Sequence, residues 1–128
     1  MSLPILAVSA LAGGAGSAAR VLVRDALARR GVAQRWTVLG INLAGSLAIG
    51  LVSGAVGREG SGGLAPAATA GLLAGWTTYS AFCMDVVLLW IRGERVRAGS
   101  LWAATLLGST ALAMAGAWIV RETSWGVP

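Results

Sequence analysis

This chain of 128 residues has no histidine and no lysine, and only one cysteine, one tyrosine, one phenylalanine and one asparagine. Without histidine there is no imidazole metal site and no histidine proton relay. Cys83, standing alone, leaves no intrachain disulfide and reads as a buried small apolar residue. Charge is also scarce, at 12% of residues against roughly 25% in soluble domains. Acidic residues are scarcer still. Glu59, Glu94 and Glu122 fall in connectors or the tail, so no acidic ring is available for a cation channel.

What is present is apolar: 56% of the chain, gathered into the stretches Leu3–Ala19, Thr37–Val56, Leu64–Trp90 and Leu101–Val120. Each is near or above the roughly 17–25 residues that cross a bilayer core of about 30 Å. The expectation is an all-α integral membrane protein, one domain over residues 1–128, with helices at about 3–27, 37–56, 64–90 and 101–120. The first stretch does not read as a cleaved leader, because no basic residue precedes Arg20 and Gly13, Gly14 and Gly16 interrupt it. Four short helices bury little against one another, so an oligomer is expected.

All ten basic residues are arginines, giving a net charge of +5. They flank apolar spans and form no basic face on a soluble domain, so no nucleic-acid partner is expected. Their ordinary role is anchoring and orientation. Arg29, Arg30, Arg35, Arg92, Arg95 and Arg97 lie in one pair of connectors, against Arg58 and Arg121 on the other side. That asymmetry favours both termini outside the cytoplasm. Asp25 and Arg29 are placed to pair at one helical turn. Arg30-Gly31 ends the first helix, and Trp36 anchors the second at the interface. Arg58 to Gly63 reads as a Gly/Ser turn.

The third stretch is unusual. Fully helical at ~1.5 Å per residue it measures about 40 Å, roughly 10 Å more than the bilayer core. Strong tilt or a break resolves the excess. Gly75-Trp76-Thr77-Thr78 is the expected place for a break, since glycine and two β-branched residues weaken a helix there. Unwound backbone at that depth needs a ligand or a partner for its freed polar groups.

Several residues are placed for anion handling. Arg20, at the end of an apolar run, either snorkels to the interface or lends positive charge to a vestibule. Asn42, inside the second span, is either interhelical glue or a pore-lining amide donor. Tyr79 and Phe82 share a helix face, and an aromatic edge is positive enough to touch a small anion. Thr78, Ser80, Thr105 and Ser109 supply hydroxyls. Gly13, Gly14, Gly16, Gly45, Gly50 and Gly54 read as close helix packing. Asp85 is expected to pair with an arginine or reach the interface.

Three motifs, taken in order, resemble the CrcB/Fluc family of fluoride channels along essentially the whole chain. Gly13-x-x-Gly16-Ser-x-x-Arg20 is similar to the family's Gly-x-x-Gly-Ala-x-x-Arg in the first helix. Ile41-Asn42-Leu-Ala-Gly45-Ser46-x-x-x-Gly50 looks like its Val-Asn-x-x-Gly-Ser-x-x-x-Gly. Gly71-x-x-Ala74-Gly75-Trp76-Thr77-Thr78-Tyr79-Ser80-x-Phe82 resembles its Gly-x-x-Gly-Gly-x-Thr-Thr-Phe-Ser-x-Phe.

The resemblance implies an antiparallel, dual-topology dimer with two fluoride pores in the bacterial plasma membrane. It implies a broken third helix whose carbonyls hold a structural Na⁺, by motif position those of Ala74 and Thr77. Asn42 then matches the pore asparagine, Arg20 the vestibule arginine, and Tyr79 and Phe82 the paired rings. Thr105 and Ser109 resemble the fourth-helix polar track. The chain departs from the pattern at Ala74 and Tyr79, where the family has Gly and Phe. The arginine asymmetry adds an expectation outside the resemblance, that the chain inserts mainly one way beside an oppositely oriented paralogue. The alternatives are such a half-channel, a non-transporting scaffold, or a small multidrug-resistance type exchanger. The last needs an acidic residue in the first helix, and Leu3–Ala19 has none.

Overall fold

The computed structural model describes residues 2–59 and 63–123, and every regular element among them is helical. In order these are α1 (Leu3–Arg29), α2 (Gln34–Glu59), α3 (Leu64–Trp76), α4 (Tyr79–Ile91) and α5 (Arg95–Thr123). Four stretches are long and apolar enough to cross a membrane, with α3 and α4 together forming the third, Leu64–Ile91.

The helices run past the apolar stretches that define them. The fourth stretch, expected at 101–120, is helical from Arg95 to Thr123. Hydropathy marks only the lipid-facing turns, whereas the helix continues through the headgroup layer where arginine is at home. Glu94 shapes that start: its carbonyl accepts from the Ala98 N–H at 2.9 Å and its carboxylate pairs with Arg97. The turn expected across 58–63 falls in part outside the described residues, and α2 itself reaches Glu59.

The two arginine-rich connectors are closed by the same device. After α1, Gly31 adopts φ 78°; its N–H donates to the Ala28 carbonyl at 2.9 Å and Val32 donates to Leu27 at 3.1 Å. After α4, Gly93 adopts φ 79°, donating to Trp90 at 3.0 Å while Glu94 donates to Leu89 at 3.0 Å. Each is a Schellman turn, which needs a left-handed residue that glycine supplies without steric cost.

Two parallel helix pairs make the bundle. In α1 and α3 the register is constant: Ser9 Oγ donates to the Ala67 carbonyl at 3.2 Å and Ser17 Oγ to the Gly75 carbonyl at 3.3 Å, both 58 residues apart. Between those bonds Gly13, Gly16, Gly71 and Gly75 bring backbone onto backbone; a Cβ on Gly71 would run into the Ser9 carbonyl and one on Gly75 into that of Gly13. In α2 and α5, Gly50 lies against Ala113, Gly54 against Ala117, and Gly116 against Leu47 and Leu51. Small residues drive such contacts because lipid offers no hydrophobic reason for helices to associate.

Side chains fill only a small core, centred on Leu89, Ala98 and Leu101 with Leu39 and Val86 packed against it. Three placements differ in detail from expectation. Asp25 meets Arg24 at 3.5 Å rather than Arg29 one turn on, both groups half-exposed. Asp85 forms no ion pair with an arginine among the described residues; it lies at the arginine-rich end, lining a pocket with Gln34, Arg35 and Arg92. It is buried, takes a hydrogen bond from Gln34 Nε2 at 3.1 Å, and its second oxygen has no hydrogen-bond partner among the described residues. Cys83 is half-buried.

Candidate functional site

Between α3 and α4 the helix stops for two residues. Thr77 (φ −76°, ψ 156°) and Thr78 (φ −146°, ψ 115°) are extended, which frees backbone groups that a continuous helix would pair internally. α2 meets this interruption with one turn of sequence. Asn42 Oδ1 accepts from the Thr78 N–H at 2.9 Å, and Asn42 Nδ2 donates to the Thr78 carbonyl at 3.1 Å. A side-chain amide thus pairs with extended backbone as a neighbouring strand would. One turn away, Gly45 leaves the space that Thr77 Cγ2 and the Trp76 ring fill, and Trp76 Nε1 donates to the Ile41 carbonyl at 3.1 Å. The interruption is a fitted joint.

α4 then restarts with its own cap, Thr78 Oγ1 accepting from the Ala81 N–H at 3.4 Å. The same hydroxyl lies 3.4 Å from Ser80 Oγ. On the α3 side, Leu73 accepts from the Thr77 N–H at 3.1 Å and Gly75 from Ser17. The Ala74 carbonyl has only a long contact, 3.5 Å, from the Thr77 hydroxyl. No hydrogen bond reaches the Thr77 carbonyl among the described residues.

Beside the joint runs an open groove of about 280 Å³ between α2, α4 and α5. It brings together Asn42, Thr77, Thr78, Tyr79, Phe82, Thr105 and Ser109, all singled out from sequence. Ser80 is exposed and lies off the groove, and Arg20 and Ala74 do not line it. Arg20 follows Ser17, whose hydroxyl meets the Gly75 carbonyl, by three residues on α1; its Nε is buried without a hydrogen-bond partner among the described residues. Ser46 and Thr110 line the groove too and were not expected there. Ser46 was legible, one turn after Asn42 on the same face.

The hydroxyls are not equivalent. Thr105 is buried and donates its proton to the Leu101 carbonyl at 2.8 Å, and Thr110 does the same to Leu106 at 2.8 Å. Both turn lone pairs, not protons, to the groove. Phe82 is 3% exposed, whereas Tyr79 is 73% exposed with its ring centroid 5.7 Å away and tilted by 52°. The rings are neither stacked nor perpendicular, at a centroid distance within the range of favourable aromatic pairs. No charged side chain lines the groove among the described residues.

Together, the fold and this uncharged, hydroxyl-lined groove define a small multi-pass membrane protein with an interrupted third span. Residues 7–117 match the family described as CrcB-like protein, Camphor Resistance (CrcB), and the chain belongs to that family. Relatives named Fluoride-specific ion channel FluC are similar over most of their length. That of Sphingopyxis alaskensis is 40% identical over 113 residues, covering 86% of this chain and 90% of its own. That of Chelativorans is 38% identical over 119 residues, covering 88% and 92%, and that of Paracoccus denitrificans 40% over 106, covering 83% and 82%.

Proposed function

We propose that this protein is a fluoride-selective channel of the bacterial plasma membrane, and not an enzyme, letting fluoride leave the cell passively and so limiting its toxicity. The observation that carries the reading is the groove at the joint, which gathers an amide, hydroxyls and an aromatic pair with no charged side chain among the described residues that line it. Fluoride holds water tightly, so a path for it must replace hydration with close donors. Conduction also requires weak binding at several sites, which a fixed cation in the groove would oppose. Asn42 keeps one amide N–H beyond its bond to Thr78, and the Ser46 and Ser109 hydroxyls make no hydrogen bond among the described residues. The family names of the relatives support the same ion.

The working unit is an antiparallel dimer whose interrupted spans meet at the centre. α3 has no buried residue, and Ala74 and Tyr79 are exposed, which suits a surface awaiting a second subunit. The exposed apolar remainder faces the lipid bilayer. A structural Na⁺ fits this joint. The described residues hold no group of three or more His, Cys, Asp or Glu able to ligate a metal, while the Thr77 carbonyl lacks a donor and that of Ala74 has a weak one. Those two carbonyls would hold the ion, which would add positive charge near the path. The second subunit is another copy or an oppositely oriented paralogue; the arginine asymmetry favours the paralogue.

Fluoride and chloride efflux from liposomes containing only this purified chain tests the reading. Fast fluoride loss with chloride retained is expected if the chain suffices. Retention of both ions by folded protein, persisting after co-reconstitution with a paralogue, would overturn it. Equal labelling of tagged termini from both sides of the membrane would remove the paralogue.

A further inference from the structure

The arginine-rich end of the bundle holds a second cavity, distinct from the groove. Its volume is about 430 Å³, and it lies where the first turn of α2, the last turn of α4 and the first turns of α5 meet. Arg35 and Arg97 line it above, with Leu89, Leu101 and Ala104 below. None of these residues lines the groove.

The charge there runs against the helices that carry it. A helix N-terminus is partially positive and favours acidic residues. The first turns of α2 and α5 have none; Arg35 stands in one, Arg95 and Arg97 in the other. Compensation within the chain is incomplete. Glu94 pairs with Arg97, but a guanidinium has five N–H donors and this pair uses few of them. Asp85, in an adjacent pocket that Arg35 also lines, is bonded to Gln34. Orientation in the membrane accounts for the number of arginines. It does not require two guanidinium groups from separate helices to share one apolar-floored cavity.

Depth supplies the second argument. Trp36 and Trp102, exposed at 57% and 53%, sit at the starts of α2 and the apolar part of α5, the headgroup level that tryptophan prefers. Arg35 and Arg97 precede them, and Leu101 and Ala104 lie deeper. The cavity therefore changes from cationic to apolar over the distance on which a lipid changes from phosphate to acyl chain. Ser100 also lines it but donates to the Arg97 carbonyl at 3.0 Å, leaving the guanidinium groups as its chief donors.

We infer that this cavity binds an acidic phospholipid, its phosphate between Arg35 and Arg97 and its upper acyl chain along Leu89, Leu101 and Ala104. Two guanidinium groups repel the cationic amine of a zwitterionic headgroup, so the site selects phosphatidylglycerol over phosphatidylcholine. The inference is independent of what the chain conducts.

Native mass spectrometry of the full chain in detergent, titrated with phosphatidylglycerol or phosphatidylcholine of equal acyl length, tests it. Phosphatidylglycerol should bind preferentially, and R35Q/R97Q should lower that preference by about tenfold. R29Q/R30Q, at the same end but outside the cavity, should leave it unchanged. A104F keeps both arginines and fills the apolar floor, so it should also lose phosphatidylglycerol, and it carries the test if the double variant does not fold. Equal binding of the two lipids, or equal loss in R29Q/R30Q, would overturn the site in favour of diffuse surface charge. Complete displacement of the lipid by equimolar inorganic phosphate would overturn it in favour of a soluble phosphate.

Discussion

The two halves of the third span are attached to the rest of the molecule by different means. α3 buries no residue, yet it is held along its length by α1 through glycines and two serine bonds to its carbonyls. α4 buries Phe82, Asp85 and Leu89 and is held by side chains of the bundle. The first attachment is backbone on backbone and leaves the outer face of α3 bare. The second is conventional packing, and it forms one wall of the groove. Between them the joint at Thr77 and Thr78 depends on neither; it depends on α2. A membrane helix can thus be interrupted where one neighbour sets its level and another satisfies its backbone.

The most damaging change should be at the joint. Asn42→Ala leaves the buried Thr78 N–H and carbonyl unpaired, at about 1–3 kcal/mol each. Fluoride flux should fall at least tenfold, with a lower melting temperature in detergent. Native flux and melting from this variant would show that the clamp is dispensable.

Next comes the α1/α3 pair. Gly75→Ala places a Cβ against the Gly13 carbonyl, and overpacking of this kind costs about 1–3 kcal/mol. Gly13→Ala is the matched control, because its Cβ would lie 3.5 Å from the Gly71 carbonyl, an ordinary contact. Equal melting temperatures for the two variants would refute the backbone-contact account of α3.

A smaller effect should separate the hydroxyls of α5. Thr105→Val removes a proton already spent on Leu101, whereas Ser109→Ala removes a donor the groove can use. Efflux assays should show the larger loss in Ser109→Ala, by about two- to tenfold at one neutral hydrogen bond. The reverse order would mean that Thr105 turns its proton to the ion. Smallest of all, Tyr79→Phe at a 73% exposed position should change stability by less than about 0.5 kcal/mol. A melting shift well beyond that would place the phenol in a contact the single chain lacks.

Much of this was legible beforehand, for identifiable reasons. The spans declared themselves by apolar length, and the interruption by excess length together with Gly75 and two threonines. Arg30-Gly31 announced the end of α1, because few residues other than glycine accept the positive φ of a Schellman turn. The start of α5 did not announce itself, since Arg95 to Ser100 is polar and hydropathy cannot distinguish a helix in the headgroup layer from a loop. Asn42 was read as glue or donor, and the family resemblance favoured the donor. The structure gives it a task that needs both ends of the amide at once. Of the two placements open to Asp85, the arginine pair did not form, because Gln34, distant in sequence, holds the carboxylate.

The sequence alone therefore determined the composition of the spans, the place of the interruption and the residue types available to an anion. Those follow from local physics: transfer of apolar side chains into lipid, and the conformational limits of glycine and β-branched residues. Only the tertiary structure decided that α1 pairs with α3 and α2 with α5, that Asn42 serves Thr78, and that Thr105 spends its proton on its own helix. These depend on register between helices and on competition among hydrogen-bond partners, which composition does not encode.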